Sequence, residues 1–269
     1  MRRNFADVLH SSGVDCAAEY FSLHNLLFRR FGLYSLIELR FDSIWFRDTT
    51  VSLRDFNQRH SFFFEDFSGD EDIDDLLDLC EYVYNFASAL LEIVHGEDYG
   101  LCVEAIDHVE RLVDKLDYVA YDEDGLTVFV PRNDRIIAAA EVAPEDVAPD
   151  LVKYDYRGLE GDLPGKRAIL LRVCNTLEPK REKLKVLSKG LENDLFFLAN
   201  NLNIRHNNTD PSHLATYRAA VAQMGDGELE GWYDSLRGMC AASFLLLSYA
   251  ENEDELKRLK TQMRSDGPA

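Results

Sequence analysis

Apolar residues recur at intervals of three and four over most of this chain, the period of helices that bury one face. Tyr20, Leu23, Leu27 and Phe31 predict a helix over 17–31. Ile73, Leu76, Leu77, Cys80, Val83, Tyr84, Ala87 and Leu91 predict another that reaches about position 95. Its start is marked by Glu71-Asp72-Ile73-Asp74-Asp75, which sets acid at the positive end of the helix dipole and reads as a solvated helix start. Val103, Ile106, Val109, Leu112 and Val113 give a third helix over 99–115. Beyond position 133 come a short helix at 134–142 and a turn or helix near 147–156. Longer ones follow at 166–177, 178–189, 191–204, 228–249 and 251–263.

Two stretches break this rhythm. Between 34 and 67, short runs such as Leu36-Ile37, Ile44-Trp45-Phe46 and Phe62-Phe63-Phe64 alternate with Asp, Arg and Thr, which predicts strands or a compact mixed unit. Between 118 and 130, Tyr118-Val119-Ala120-Tyr121 and Leu126-Thr127-Val128-Phe129-Val130 flank Asp122-Glu123-Asp124-Gly125, the pattern of a β-hairpin. The expected fold is therefore mainly α, with a mixed α/β N-terminal unit over 1–68. A helical domain over 69–269 would carry the hairpin as a small insertion.

Composition narrows the function classes. Hydrophobic residues make up 46% of the 269 positions and charged ones 29%, as in an ordinary folded chain rather than a disordered one. No apolar run reaches membrane-helix length. Asp7 and His10 interrupt the stretch after Met1-Arg2-Arg3-Asn4-Phe5, so no signal peptide and a cytoplasmic location are expected. The five cysteines are scattered with no CxxC pair, and the seven histidines show no ligand spacing. Inert buried thiols are expected, with neither a metal nor a cofactor. Arg40, Asp42, Arg47, Asp48, Arg54 and Asp55 read as surface pairs of small weight rather than as the pocket of a small-molecule enzyme.

Forty-nine acidic residues against 29 basic ones give a net charge of −20, which opposes general affinity for nucleic acid. The window 162–214 is an exception, with nine basic and six acidic residues. Within it Leu191, Leu195, Leu198 and Leu202 form a helical stripe whose next position is Arg205, followed by His206, Asn207 and Asn208. Asn201 and Asn208 would share an adjacent strip if the helix continued that far. An Arg fork can pair with phosphate oxygens, a His can move a proton to or from a ribose hydroxyl, and Asn amides can orient either. The same residues also suit a plain helix end, because Asn tolerates the left-handed cap and Arg and His suit the negative pole.

The region 154–247 resembles a bacterial HEPN-like family related to abortive-infection, or phage-exclusion, proteins. The resemblance lies in Gly161-Asp162-Leu163 with Lys166, Leu177-Glu178-Pro179-Lys180-Arg181, Leu195-Phe196-Phe197, the run from Asn200 to Asn208, and Leu229-Glu230-Gly231-Trp232-Tyr233-Asp234. It implies a helical bundle over about 154–269 that dimerises and, in many members, cuts RNA without metal. Arg205 matches the family's motif arginine. His206 follows it directly, and His213 lies one position beyond the usual spacing. On that likeness the catalytic set is Arg205 with His206 or His213, and Asn201, Asn207, Asn208, Lys180 and Arg181 bind substrate. RNA and a second copy of the chain are the implied partners. The site would lie at a two-fold seam, with the helix containing Ala241, Phe244, Leu245 and Leu247 as contact surface or as ordinary core. The competing reading is a non-catalytic HEPN-like module that binds a protein partner or senses a ligand through the same helix.

Overall fold

The computed structural model describes residues 13–64, 67 and 69–265; the reading of residues 1–10 as free of a signal peptide lies outside these. The chain divides into two compact units, Met1–Arg132 and Asn133–Ala269, each with its own apolar core. The architecture is mainly helical with one two-stranded antiparallel sheet.

In the first unit, α1 (Cys16–Phe28) begins where the Asp15 carboxylate accepts the Ala18 N–H at 3.0 Å. It stops short of Phe31, which adopts a left-handed φ of 61°. At Gly32, a Cβ would meet the carbonyl oxygens of Leu26, Leu27 and Arg29 at 2.7–2.9 Å, so only glycine fits this turn. Among the described residues of 34–67 there is no strand, so the expected strands are corrected. That stretch holds α2 (Leu33–Arg40), two 3-10 turns (Phe41–Ser43 and Trp45–Arg47) and α3 (Leu53–Arg59), which Ser52 caps. Its aromatic residues serve helix packing instead. Phe56, Phe62 and Phe64 meet Tyr82 and Phe86 of α4 (Ile73–Leu91) at ring-centroid distances of 5.1–5.5 Å. The expected boundary at 68/69 is corrected for the same reason. The core runs through it, from Tyr20 in α1 to Phe129, and the unit closes only at Arg132.

Helix α4 opens on the acidic run as a capping box: Asp72 accepts the N–H groups of Asp74 and Asp75, and Asp75 accepts that of Asp72. It packs on α5 (Glu97–Lys115) and on the hairpin of β1 (Tyr118–Glu123) and β2 (Leu126–Pro131). Glu123 pairs with Leu126, leaving Asp124 and Gly125 as a two-residue turn with φ of 54° and 85°, the type I′ geometry Asp-Gly favours. Helix α4 also supplies hydrogen bonds to β2. The Asn85 amide both accepts the Thr127 N–H and donates to its carbonyl, each at 2.7 Å, and Glu81 accepts the Phe129 N–H at 2.8 Å.

The second unit contains α6 (Asp134–Val142), α7 (Ala148–Lys153), α8 (Leu163–Leu177), α9 (Arg181–Leu187), α10 (Lys189–Asn201), the short α11 (Ala219–Ala222) and α12 (Asp226–Ser265). The two helices expected at 228–249 and 251–263 are one helix of 40 residues, since Ala250-Glu251-Asn252-Glu253 holds no Gly or Pro to break it. Ala241, Phe244 and Leu247 lie inside the core of this unit, and Leu245 is half-buried against it, so this segment is core. No helix among the described residues is long and apolar enough to cross a membrane.

Four of the cysteines are buried and Cys16 is partly so. Burial, then the nearby Asp98 carboxylate, pushes the Cys102 thiol up to about 11; burial followed by Asp15 and Asp72 also raises Cys16. At pH 8, Ellman's reagent should therefore titrate at most one thiol rapidly in the native chain and all five after denaturation. Three or more fast thiols would contradict this packing. The sign of the linkage is also fixed. A folded thiol held above its ordinary 9.0 contributes stability that is full below that pH and is lost as pH rises through about 11.

Candidate functional site

Three short segments meet around the ring of Phe196: the end of α8 with the turn Glu178–Lys180, the start of α9, and the chain leaving α10. Pro179 has no N–H to continue α8, which stops as a 3-10 turn and presents Glu178 on one side. Helix α10, expected to run to 204, ends at Asn201 because Asn203 takes a left-handed φ of 59°. The Asn203 N–H donates to the Asn208 side chain at 2.8 Å, and the Asn208 N–H donates back to the Asn203 side chain at 3.1 Å. This reciprocal pair folds 203–208 into a tight loop. It turns Arg205 inward, where its own N–H donates to the Ala199 carbonyl at 3.1 Å.

The Arg205 guanidinium is thereby committed. Nη1 donates to the Glu178 carboxylate, and Nη2 donates to the Cys174 carbonyl at 2.9 Å. Its Cζ lies 5.3 Å from the Phe196 centroid, and the side chain is only 13% exposed. The Arg181 guanidinium lies 4.6 Å from the same ring, and its Nε donates to the buried Glu192 carboxylate at 2.5 Å. Glu178 also lies 3.7 Å from Arg181, so two carboxylates, two guanidinia and one ring form a continuous network. The hydrogen bond from Arg181 to Glu192 holds Arg181 charged beyond its ordinary range. Among the described residues, Arg205 Nε is buried without a hydrogen-bond partner.

The other expected site residues do different work. Asn208 is fully buried and donates to the Thr216 carbonyl at 2.6 Å while its own carbonyl accepts the Arg218 N–H, so it pins a loop. Asn207 accepts the Asp210 N–H at 3.1 Å in a local turn. Asn201 donates to the Phe197 carbonyl and accepts from Arg218. His213 lies 3.8 Å from Asp210, whose carboxyl the Ser212 hydroxyl and backbone N–H hold below its ordinary range. His206 is exposed. Lys180 lies along a cavity of about 210 Å³ with Val142, Phe244, Leu247, Ser248 and Glu251. Among the described residues, no hydrogen bond or ion pair joins Arg205 to either histidine or to any of these asparagines. No three His, Cys, Asp or Glu side chains converge there as a metal site.

In the sequence Glu178 and Phe196 stand out only as marks of the resemblance, Glu192 not at all, and none as a partner of the basic residues. A second cluster of the same kind likewise has members, Lys166, Glu230 and Asp234, that stand out only as marks of the resemblance. Lys166 is 1% exposed, donates to Glu230 and lies 4.0 Å from Asp234, with its Nζ 4.9 Å from the Tyr154 centroid. Arg237 stands 4.8 Å from that ring, pairs with Asp155 at 2.7 Å and donates to the Leu151 carbonyl. Two aromatic rings, each approached by two cations, tie the helices of this unit together.

The chain matches no protein-family model, no curated protein and no solved structure.

Proposed function

We propose that this chain is a non-catalytic helical interaction protein, and that the Arg-His-Asn-Asn segment of its second unit is a structural lock rather than a nuclease centre. The observation that carries this reading is the commitment of Arg205: both terminal nitrogens are engaged by Glu178 and the Cys174 carbonyl in a largely buried position. A catalytic arginine must present its fork to a phosphate that arrives from solvent. Here the fork faces inward, and a phosphate would have to displace a carboxylate of the same chain. The charge of the first unit, 27 acidic against 11 basic residues, supports the same reading because it repels RNA.

The test is incubation of the purified chain with single-stranded and structured RNA in EDTA. No cleavage above background is expected, either for the native chain or for Arg205→Ala and His206→Ala variants. RNA cleavage by the native chain that disappears in the double variant would overturn the proposal in favour of a metal-independent ribonuclease, with the anti-phage role that the HEPN-like resemblance suggests.

A further inference from the structure

The long helix α12 is buried in its unit only as far as Ala250. Its last four turns are nevertheless not uniformly polar. Tyr249, Leu256, Leu259 and Met263 are 64%, 45%, 51% and 67% exposed. With Asn252 they fall at 249, 252, 256, 259 and 263, spacings of three and four that repeat every seven residues. The free stripe from 249 to 263 spans two heptads, because Leu245, the next position above it, packs against the core of the unit. It lies on a different side of the helix from the core residues Cys240, Phe244, Leu247 and Ala250. A seven-residue repeat of this kind is the seam of a coiled coil, and nothing in the unit's own core requires it.

The flanking charges select the occupant. With Tyr249, Leu256 and Met263 as the first seam positions, Glu255 and Lys260 occupy the two flanks. In a parallel pair, the flank at 255 of one helix faces the flank at 260 of the other, so two symmetric Glu255–Lys260 contacts form. Neither residue is engaged within the chain among the described residues, whereas Glu253 already pairs with Lys257 at 3.2 Å. We propose that the exposed face of α12 from Tyr249 to Met263 binds the same face of a second copy of this chain, as a parallel two-stranded coiled coil. This deepens the interaction reading by naming the partner, and it is tested by a readout separate from RNA cleavage.

Sedimentation velocity on the full chain, from about 1 to 100 μM, should show concentration-dependent growth from 30.8 kDa toward twice that mass. Leu256→Asp with Leu259→Asp should leave a monomer at every concentration with an unchanged thermal midpoint, because both side chains lie outside the core. Glu255→Lys should weaken association at least tenfold, and Glu255→Lys with Lys260→Glu should restore it to within about threefold. A monomer throughout the range would overturn the proposal. So would a dimer that survives the double Asp variant. Association that the charge reversal fails to restore would overturn the parallel register.

Discussion

Arg205→Ala should destabilise the second unit by about 2–3 kcal/mol, with a fall of roughly 6–12 °C in its unfolding midpoint. The substitution leaves the Cys174 carbonyl with one donor fewer, removes a cation from the face of Phe196 and strips Glu178 of its partner. The lower part of the range for a broken buried pair applies because Glu178 is 44% exposed and water can replace part of the contact. Arg205→Lys should recover less than half of the loss, since one ammonium on a flexible stem cannot reach the carboxylate and the carbonyl in the fork geometry. In a Trp45→Phe background, Trp232 is the single tryptophan and reports this unit alone. An Arg205→Ala midpoint within 1 °C of the native chain would show that the contacts carry no stability.

Lys166→Ala should cost more, about 3–4 kcal/mol in urea unfolding read through the same tryptophan. The ammonium is almost wholly buried, and its loss takes the cation away from the Glu230 carboxylate and opens a void beneath Tyr154. Two further variants separate those effects. Lys166→Met fills the space and keeps the carboxylate without its ammonium, whereas Lys166→Met with Glu230→Gln removes the charge as well. The second should recover at least 1 kcal/mol over the first, because an amide can keep the Gly161 N–H as donor without a buried charge. Equal stability of the two would mean that Glu230 is already satisfied by solvent.

What the sequence disclosed depended on how local the determining signal was. Helix α4 was readable because its capping residues and its apolar stripe lie within 20 positions. The hairpin was readable because Asp124-Gly125 carries its own turn geometry. The region 34–67 misled because aromatic and β-branched residues suit strands and also suit a helix-packed cluster, and the choice rests on α4, which follows later in the chain. The single helix α12 was split because its surface changes from apolar to charged at Ala250, while its backbone continues. Arg205 shows the limit most plainly. Its position after a leucine stripe was visible, but its partners lie 27 and 31 residues back, one of them a carbonyl that any residue type would provide.

The side chains of Asn85 and Glu81, which bind β2 from helix α4, have a consequence for how this small sheet behaves toward other chains. A two-stranded hairpin has two open borders on which an extended segment can template itself. Here the helix takes up the Thr127 N–H and carbonyl and the Phe129 N–H that another strand would need, which hinders growth on that side without a third strand. The opposite border, along β1, ends in Asp122 and Glu123, and like charges there discourage stacking of one copy on the next. Unfolding α4 would therefore release a strand as well as a helix, and protection of the hairpin from fibrous aggregation lasts as long as that helix stays folded.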